Sequence, residues 1–482
     1  MQSEGSGPQI AGEPAAEAPI APLPGPEVPP PAPARPRDPD LRWLLWWTAV
    51  GFALRAAHEL WIHPVSADLS SDMGFSFETA RAFANPHHVL DKWDVVKPRA
   101  MGLVGAAILR AFGSGALGKW MWGLLQVVLS AATPPLAFLG ARRAFGRRSA
   151  RIALVILALD PLAIAYVGFL MVETYAMASL ALAFALLDPE RPLLALASGL
   201  AVGTAGLFKP QVLLLVPLWC LMLFFWPALR SGLRAWLVER RRLAAILLGA
   251  GVLAVVAPEA VTVSKLVGHP TLLSAYSGQN FYIGHCNVWL MSMLGTDPGD
   301  RPYSFGVPKV FQRNEPFPDV TFRVSILDSG FFIQEGMKCW RRSFWGTVVW
   351  SLEQLADVFA GWPGSTIDPF PIPGGWNQLP RYYSVILEYF LVPLGFVEWW
   401  RRRRELGSWL AFLAPMGSIW ALALVFSGDP RYREPFDVFL VSGAAGGLAR
   451  LWDRHRGAVL SWAVARLSRL RVAAPVDQYP QD

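Results

Sequence analysis

Charge is scarce in this chain: Asp, Glu, Lys and Arg make up 16% of its 482 residues, against 53% hydrophobic ones. With a mean hydropathy of +0.34, a soluble domain of this size would lack the polar surface to cover itself, so a polytopic membrane protein is expected and a separate soluble enzyme domain is not. Cysteine is nearly absent. The three present, Cys220, Cys286 and Cys339, have neither CxxC nor zinc-like spacing, which supports no disulfide framework and no structural metal. Cys286 and Cys339 can still pair if they share an oxidising compartment. No internal repeat is evident either, and that weakens a transporter built from inverted halves.

The charge that is present has a pattern. There are 43 Lys and Arg against 36 Asp and Glu, a net +7, but the basic residues stand in short runs beside apolar segments. That is the positive-inside arrangement, and it marks topology rather than a nucleic-acid surface. Residues 1–40, rich in Pro, Ala, Glu and Gly, are expected to be a disordered cytoplasmic tail with no cleavable signal peptide before the first apolar run.

Apolar runs near 43–62, 119–140, 152–167, 169–187, 192–207, 211–227, 243–263, 383–399, 408–426 and 434–449 predict an all-α protein of about ten transmembrane helices. Arg142, Arg143, Arg147, Arg148 and Arg151 follow the second run, Arg401 to Arg404 the eighth, and Arg450, Arg454 and Arg456 the tenth. These clusters fall on one side, with both ends of the chain, including a C-terminal segment 451–482, in the cytoplasm. The scheme holds only if two apolar stretches, 99–112 and 331–360, do not span. Both carry charges and are expected as amphipathic helices on the outer membrane surface. A transmembrane domain over 41–450 then has two large outer loops, 63–118 and 264–382.

With that topology four charges converge on the outer leaflet. Asp72 follows the first run, Glu173 opens the fourth, Lys209-Pro210 breaks the chain between the fifth and sixth, and Arg431 opens the tenth. Each has a plain structural role available: a solvated loop acid, a Glu paired with an Arg to hold helices, a snorkelling Lys, an interfacial Arg. An ionisable group inside a span is costly, however, and a guanidinium can grip two phosphate oxygens at once. His87, His88 and His285 read as solvated or hydrogen-bonded loop histidines rather than metal ligands or bases. In the second outer loop Trp362 and Trp376 are placed to stack on a sugar.

Ser71-Asp72-Met73, followed by Ala80 and Phe83, resembles the motif that opens the first outer loop of GT-C class, lipid-carrier-dependent glycosyltransferases, the group of protein O-mannosyltransferases and lipid A aminoarabinose transferases. Similarity continues through Lys97-Pro98-Arg99, the Glu173 run, the corner Gly203 to Pro210, Asn280 to Gly284, and Arg431-Tyr432-Arg433-Glu434-Pro435. The resemblance implies transfer of a sugar, with inversion, from a polyprenyl-phosphate donor to an acceptor lipid, glycan or protein. The periplasmic or extracytoplasmic face of a bacterial inner membrane is the implied place. Asp72 would be the base, Glu173 would orient acceptor or sugar, and Lys97, Arg99, Lys209 and Arg431 would bind the donor phosphate. Tyr432 and Trp376 would touch substrate. No cofactor is implied: Met73 stands where many relatives have a second acid, and no motif supports a divalent metal. A transporter or flippase of a lipid-linked saccharide would want the same apolar spans and cationic site, but also a polar path through the inner halves of the spans, which here are nearly all apolar.

Overall fold

The computed structural model describes residues 39–65, 69, 71–236, 240–286, 290–293, 303–305, 320–322, 327–360, 378–426, 428 and 430–472. The described chain is helical apart from one small antiparallel sheet within 264–382, with strands β1 (Leu290–Met293), β2 (Tyr303–Phe305) and β3 (Val320–Phe322) in that order.

Among the described residues three helices are long and apolar enough to cross a membrane by length and composition: Ala116–Phe145, Arg240–Val267 and Leu406–Val425. A fourth crossing arises if Arg147–Ala158 and Pro161–Gly168, bent by 41°, count as one. The other expected spans are shorter or interrupted, as in Val172–Leu186 and Pro192–Phe208, so helix length alone does not give ten. Local sequence explains the interruptions. Asp160 accepts from the backbone N–H of Leu162 and Ala163 at 2.9 and 3.2 Å and so caps a new helix at Pro161. Pro210 similarly ends the helix that Lys209 follows.

Small residues let the spans approach closely. A Cβ on Gly199 would lie 2.1 Å from the Leu248 carbonyl oxygen, and one on Gly251 would lie 2.4 Å from that of Leu196. Pro192–Phe208 and Arg240–Val267 thus cross backbone to backbone, as membrane helices do where lipid removes the hydrophobic drive between them. The core beside them holds Phe184, Trp219 and Phe439 in ring contact, and the Trp219 indole donates to the Leu410 carbonyl at 2.8 Å.

The arginines assigned to the inner side meet one another's partners. Asp40, in the first turn of Pro39–Ala57, pairs with Arg147 at 2.8 Å and Arg151 at 2.6 Å, with Arg142 at 3.7 Å. Glu398 accepts from both Arg402 and Arg450. Residues following the second and tenth expected spans are also joined by the Arg148–Asp453 pair.

On the other side, the expected surface helix of the first loop is Ala100–Phe112, packed on Ser71–Ala84. The 331–360 stretch forms two helices rather than one, Ser329–Arg342 and Phe344–Ala360, separated at Ser343. Cys286 and Cys339 form a disulfide that ties Ser277–Cys286 to Ser329–Arg342.

Candidate active site

Asp72 occupies the first turn of Ser71–Ala84, where a carboxylate is favoured by the helix dipole. Met73, Phe77 and Ala80 on the same helix are buried against Trp122, Phe169 and Tyr175, which fixes the helix while leaving Asp72 at its exposed start. Lys97 approaches from the same loop. A capping box built on Asp91 folds the short turn Lys92–Val95, and Val95 and Val96 then accept from Ala275 N–H at 3.0 Å and the Ser274 hydroxyl at 2.7 Å. The two expected outer loops therefore meet directly beside Lys97.

The Lys97 ammonium lies 2.5 Å from Asp72 Oδ1, and Arg431 Nη1 donates to Asp72 Oδ2 at 3.2 Å. Residues 25 and 359 positions from Asp72 thus hold both its oxygens. Burial works against the charged form, but the two cations outweigh it and hold the carboxyl below the usual aspartate range. The acid remains 42% exposed and the cations 36% and 27%, so solvent and a substrate can reach all three.

Beneath this open cluster is a closed one. Glu173 and Lys209 pair at 2.8 Å with 3% and 4% of their side chains exposed, and Lys209 also donates to the Arg431 carbonyl oxygen at 2.6 Å. Tyr432 lies under both Lys209 and Arg431, at 5.3 and 5.5 Å from its ring centre. The turn Pro430–Arg433 is fastened from behind as well. Arg433, wholly buried, donates to Asp437 at 3.1 Å and to the Val358 and Phe359 carbonyls at 3.3 Å.

Of the residues expected at the site, Asp72, Glu173, Lys97, Lys209, Arg431 and Tyr432 form one connected cluster. Arg99 does not join it through any of its bonds: its guanidinium grips Glu259 in a two-point contact at 2.6 and 2.7 Å. Trp376 and Trp362 lie outside the described residues. His88 bonds Asp94 at 2.9 Å and His285 bonds the Phe281 carbonyl at 2.9 Å, and among the described residues no group of three or more His, Cys, Asp or Glu side chains is placed to hold a metal.

Four residues with buried or paired charge were not among those expected at the site. Glu259 sits in an otherwise apolar run, the same signal that singled out Glu173. Arg433 and Asp437 have the i,i+4 spacing of a helical ion pair. Arg55, buried in the first span, donates to Ser130 at 2.7 Å and to the Leu157 and Ala158 carbonyls, tying the first expected span to the second and third.

No family model matches the chain, and no curated protein matches it. Among solved structures it is similar to the oligosaccharyltransferase of Archaeoglobus fulgidus in the apo form, at 12% identity and a TM-score of 0.49 over 88% of this chain and 52% of that one. It is likewise similar to the archaeal oligosaccharyltransferase AglB of that organism in complex with an inhibitory peptide and a dolichol-phosphate, at 13% identity, with the same coverage and TM-score. ArnT from Cupriavidus metallidurans bound to undecaprenyl phosphate is matched at 16% identity over 85% of this chain and 78% of that one, with a TM-score of 0.37. The chain spans about half the length of the oligosaccharyltransferase structures. At this distance the likeness reaches neither the site nor its chemistry.

Proposed function

We propose that this chain is an integral membrane glycosyltransferase that moves a sugar from a polyprenyl-phosphate donor to an acceptor hydroxyl on the outer face. The carrying observation is the accessible acid between two accessible cations, Asp72 between Lys97 and Arg431, on a scaffold of apolar helices. The motif order seen in the sequence supports the same assignment.

In this reaction the acceptor oxygen bonds to the anomeric carbon from the face opposite the phosphate. Its proton passes to Asp72, the carbon–oxygen bond to phosphate breaks, and the polyprenyl phosphate leaves with the electron pair, giving inversion. The departing group is already a phosphate, so the protein must supply a base and counter-charge rather than a strong acid. Lys97 and Arg431 supply the counter-charge. Lys209 and Glu173 act one layer below: the ammonium holds the Arg431 main chain, and the buried carboxylate holds the ammonium. Apolar spans beside the site take the prenyl chain by non-directional burial.

The test is transfer from a panel of purified polyprenyl-phosphate sugars, wild type against Asp72→Asn. Turnover with at least one donor, lost in the variant while expression and carrier binding persist, is the expected result. Wild-type turnover in Asp72→Asn would remove Asp72 from the mechanism, and translocation of lipid without transfer would point to a flippase.

A further inference from the structure

With Asp72 as the base and Lys97 and Arg431 as the phosphate ligands, one geometric conflict remains: the base and the ligands hold each other, both Asp72 oxygens accepting from the two cations. A carboxylate so held is a poor acceptor for a third proton, and cations so held have a competitor for phosphate. Resting on the glycosyltransferase reading, we propose that the donor itself frees the base: its phosphate takes Lys97 and Arg431 away from Asp72, so the acceptor hydroxyl is activated only after the lipid-linked donor is seated.

The surroundings of the three groups suit this exchange. Neither cation depends on Asp72 for its place. The Lys97 ammonium also lies 4.7 Å from the Phe75 ring centre, on a turn pinned by the Ser274 and Ala275 contacts. Arg431 lies over Tyr432, and its carbonyl is held by Lys209. Asp72, in contrast, is in the first turn of a helix, where the helix dipole offers a displaced carboxylate a second favourable position. The movement required is a rotation of one short side chain. It takes place where the acid is 42% exposed, so water can replace each broken contact. Before the donor arrives, the clamp keeps the acid from deprotonating whatever hydroxyl reaches the site first; afterwards, the negative phosphate in the clamp leaves Asp72 facing the anomeric carbon.

The experiment measures binding of a sugar-free polyprenyl phosphate to detergent-solubilised full-length protein, comparing wild type, Asp72→Asn and Asp72→Ala, with Asp40→Asn as a control far from the site. Removing the competing carboxylate should tighten binding by about threefold to thirtyfold, the range set by two partly exposed ion pairs. Asp40→Asn should leave it unchanged. Equal or weaker binding in both Asp72 variants would overturn the proposal, since a carboxylate that merely builds the site cannot improve it by leaving. A measurement on the unsubstituted protein gives the same decision: adding the carrier should shift a carboxylate stretching band in the infrared difference spectrum, and a flat carboxylate region would refute the exchange. Neither readout requires turnover. Absence of sugar transfer would refute the glycosyltransferase while leaving the clamp standing, and unchanged binding would refute the clamp while leaving the enzyme standing.

Discussion

Asp40 and Asp72 are each a single carboxylate at the start of a helix, surrounded by cations, on opposite sides of the scheme that the arginines define. Asp40 is 4% exposed and pairs with arginines that are 35% to 46% exposed, so the acid is the buried rivet and the arginines its cover. Asp72 is 42% exposed, between cations no more open than itself. In both, burial opposes ionisation and the paired cations outweigh it, so both carboxyls lie below the usual aspartate range. The same local chemistry therefore serves two ends. Where the acid is sealed, the pairs fasten the helix Pro39–Ala57 to its neighbours; where it is open, solvent reaches the pairs, and that is where the proposed exchange for a substrate takes place.

The comparison breaks most sharply on turnover. Asp72→Asn should lower the initial rate of sugar transfer by about 10² to 10⁴, the usual contribution of a positioned base, whereas Asp40→Asn should retain the wild-type rate per folded molecule. Equal losses in both would mean that the exposed acid is no more than a second rivet.

The closed pair beneath the site has the next effect, on stability. Lys209→Met leaves Glu173 enclosed without its partner, and breaking a buried pair from one side costs about 3–5 kcal/mol, read as a lower unfolding midpoint. Adding Glu173→Gln should recover much of that midpoint. It should not recover turnover, because the Arg431 carbonyl has still lost its ammonium. Recovery of both would make the pair a helix fastener only.

How much of this is legible in the sequence depends on where each piece of information resides. The convergence of Asp72, Glu173, Lys209 and Arg431 is readable because Arg runs give sidedness and an ionisable residue in an apolar run announces itself. A structural role for Glu173 suggests an Arg as its partner, and the residue it meets is Lys209; the choice of partner depends on how 173 and 209 approach through packing, which no local pattern encodes. The partners of Lys209 are hidden for the same reason, its two hydrogen bonds lying 36 and 222 positions away. Arg99 looks like a companion of Lys97, two residues along, until the helix carrying Glu259 takes it. The break at Ser343 and the bend at Asp160 are hidden because hydropathy averages over the caps that interrupt a helix.

Acid titration sharpens the comparison with a smaller signal. A carboxyl whose folded value is depressed contributes stability fully above its unfolded value, about 4 for Asp, and loses it as the pH falls through the depressed value. Melting midpoints followed from neutral to about pH 3 should fall for wild type, and removal of either acid should flatten the curve. Asp40→Asn should flatten it more than Asp72→Asn, because solvent screens the half-exposed pairs. The reverse order would show that the open cluster is the stronger fastening.

The smallest effect is expected from the disulfide. Cys286–Cys339 joins two helices of the lobe whose Ser274 and Ala275 contacts fix the turn carrying Lys97, so its loss acts on the site indirectly, through that packing. Cys286→Ser should raise the donor KM slightly with kcat unchanged, the mark of a group that positions binding equally in ground and transition states. Steady-state rates with and without reductant check this, with Cys220→Ser as the control for the remaining thiol. A fall in kcat of the size expected for Asp72→Asn would mean that the second outer loop holds the base as well as the cation. The open cluster would then be as rigidly built as the one around Asp40, and the distinction between rivet and exchangeable clamp would fail at its outer end.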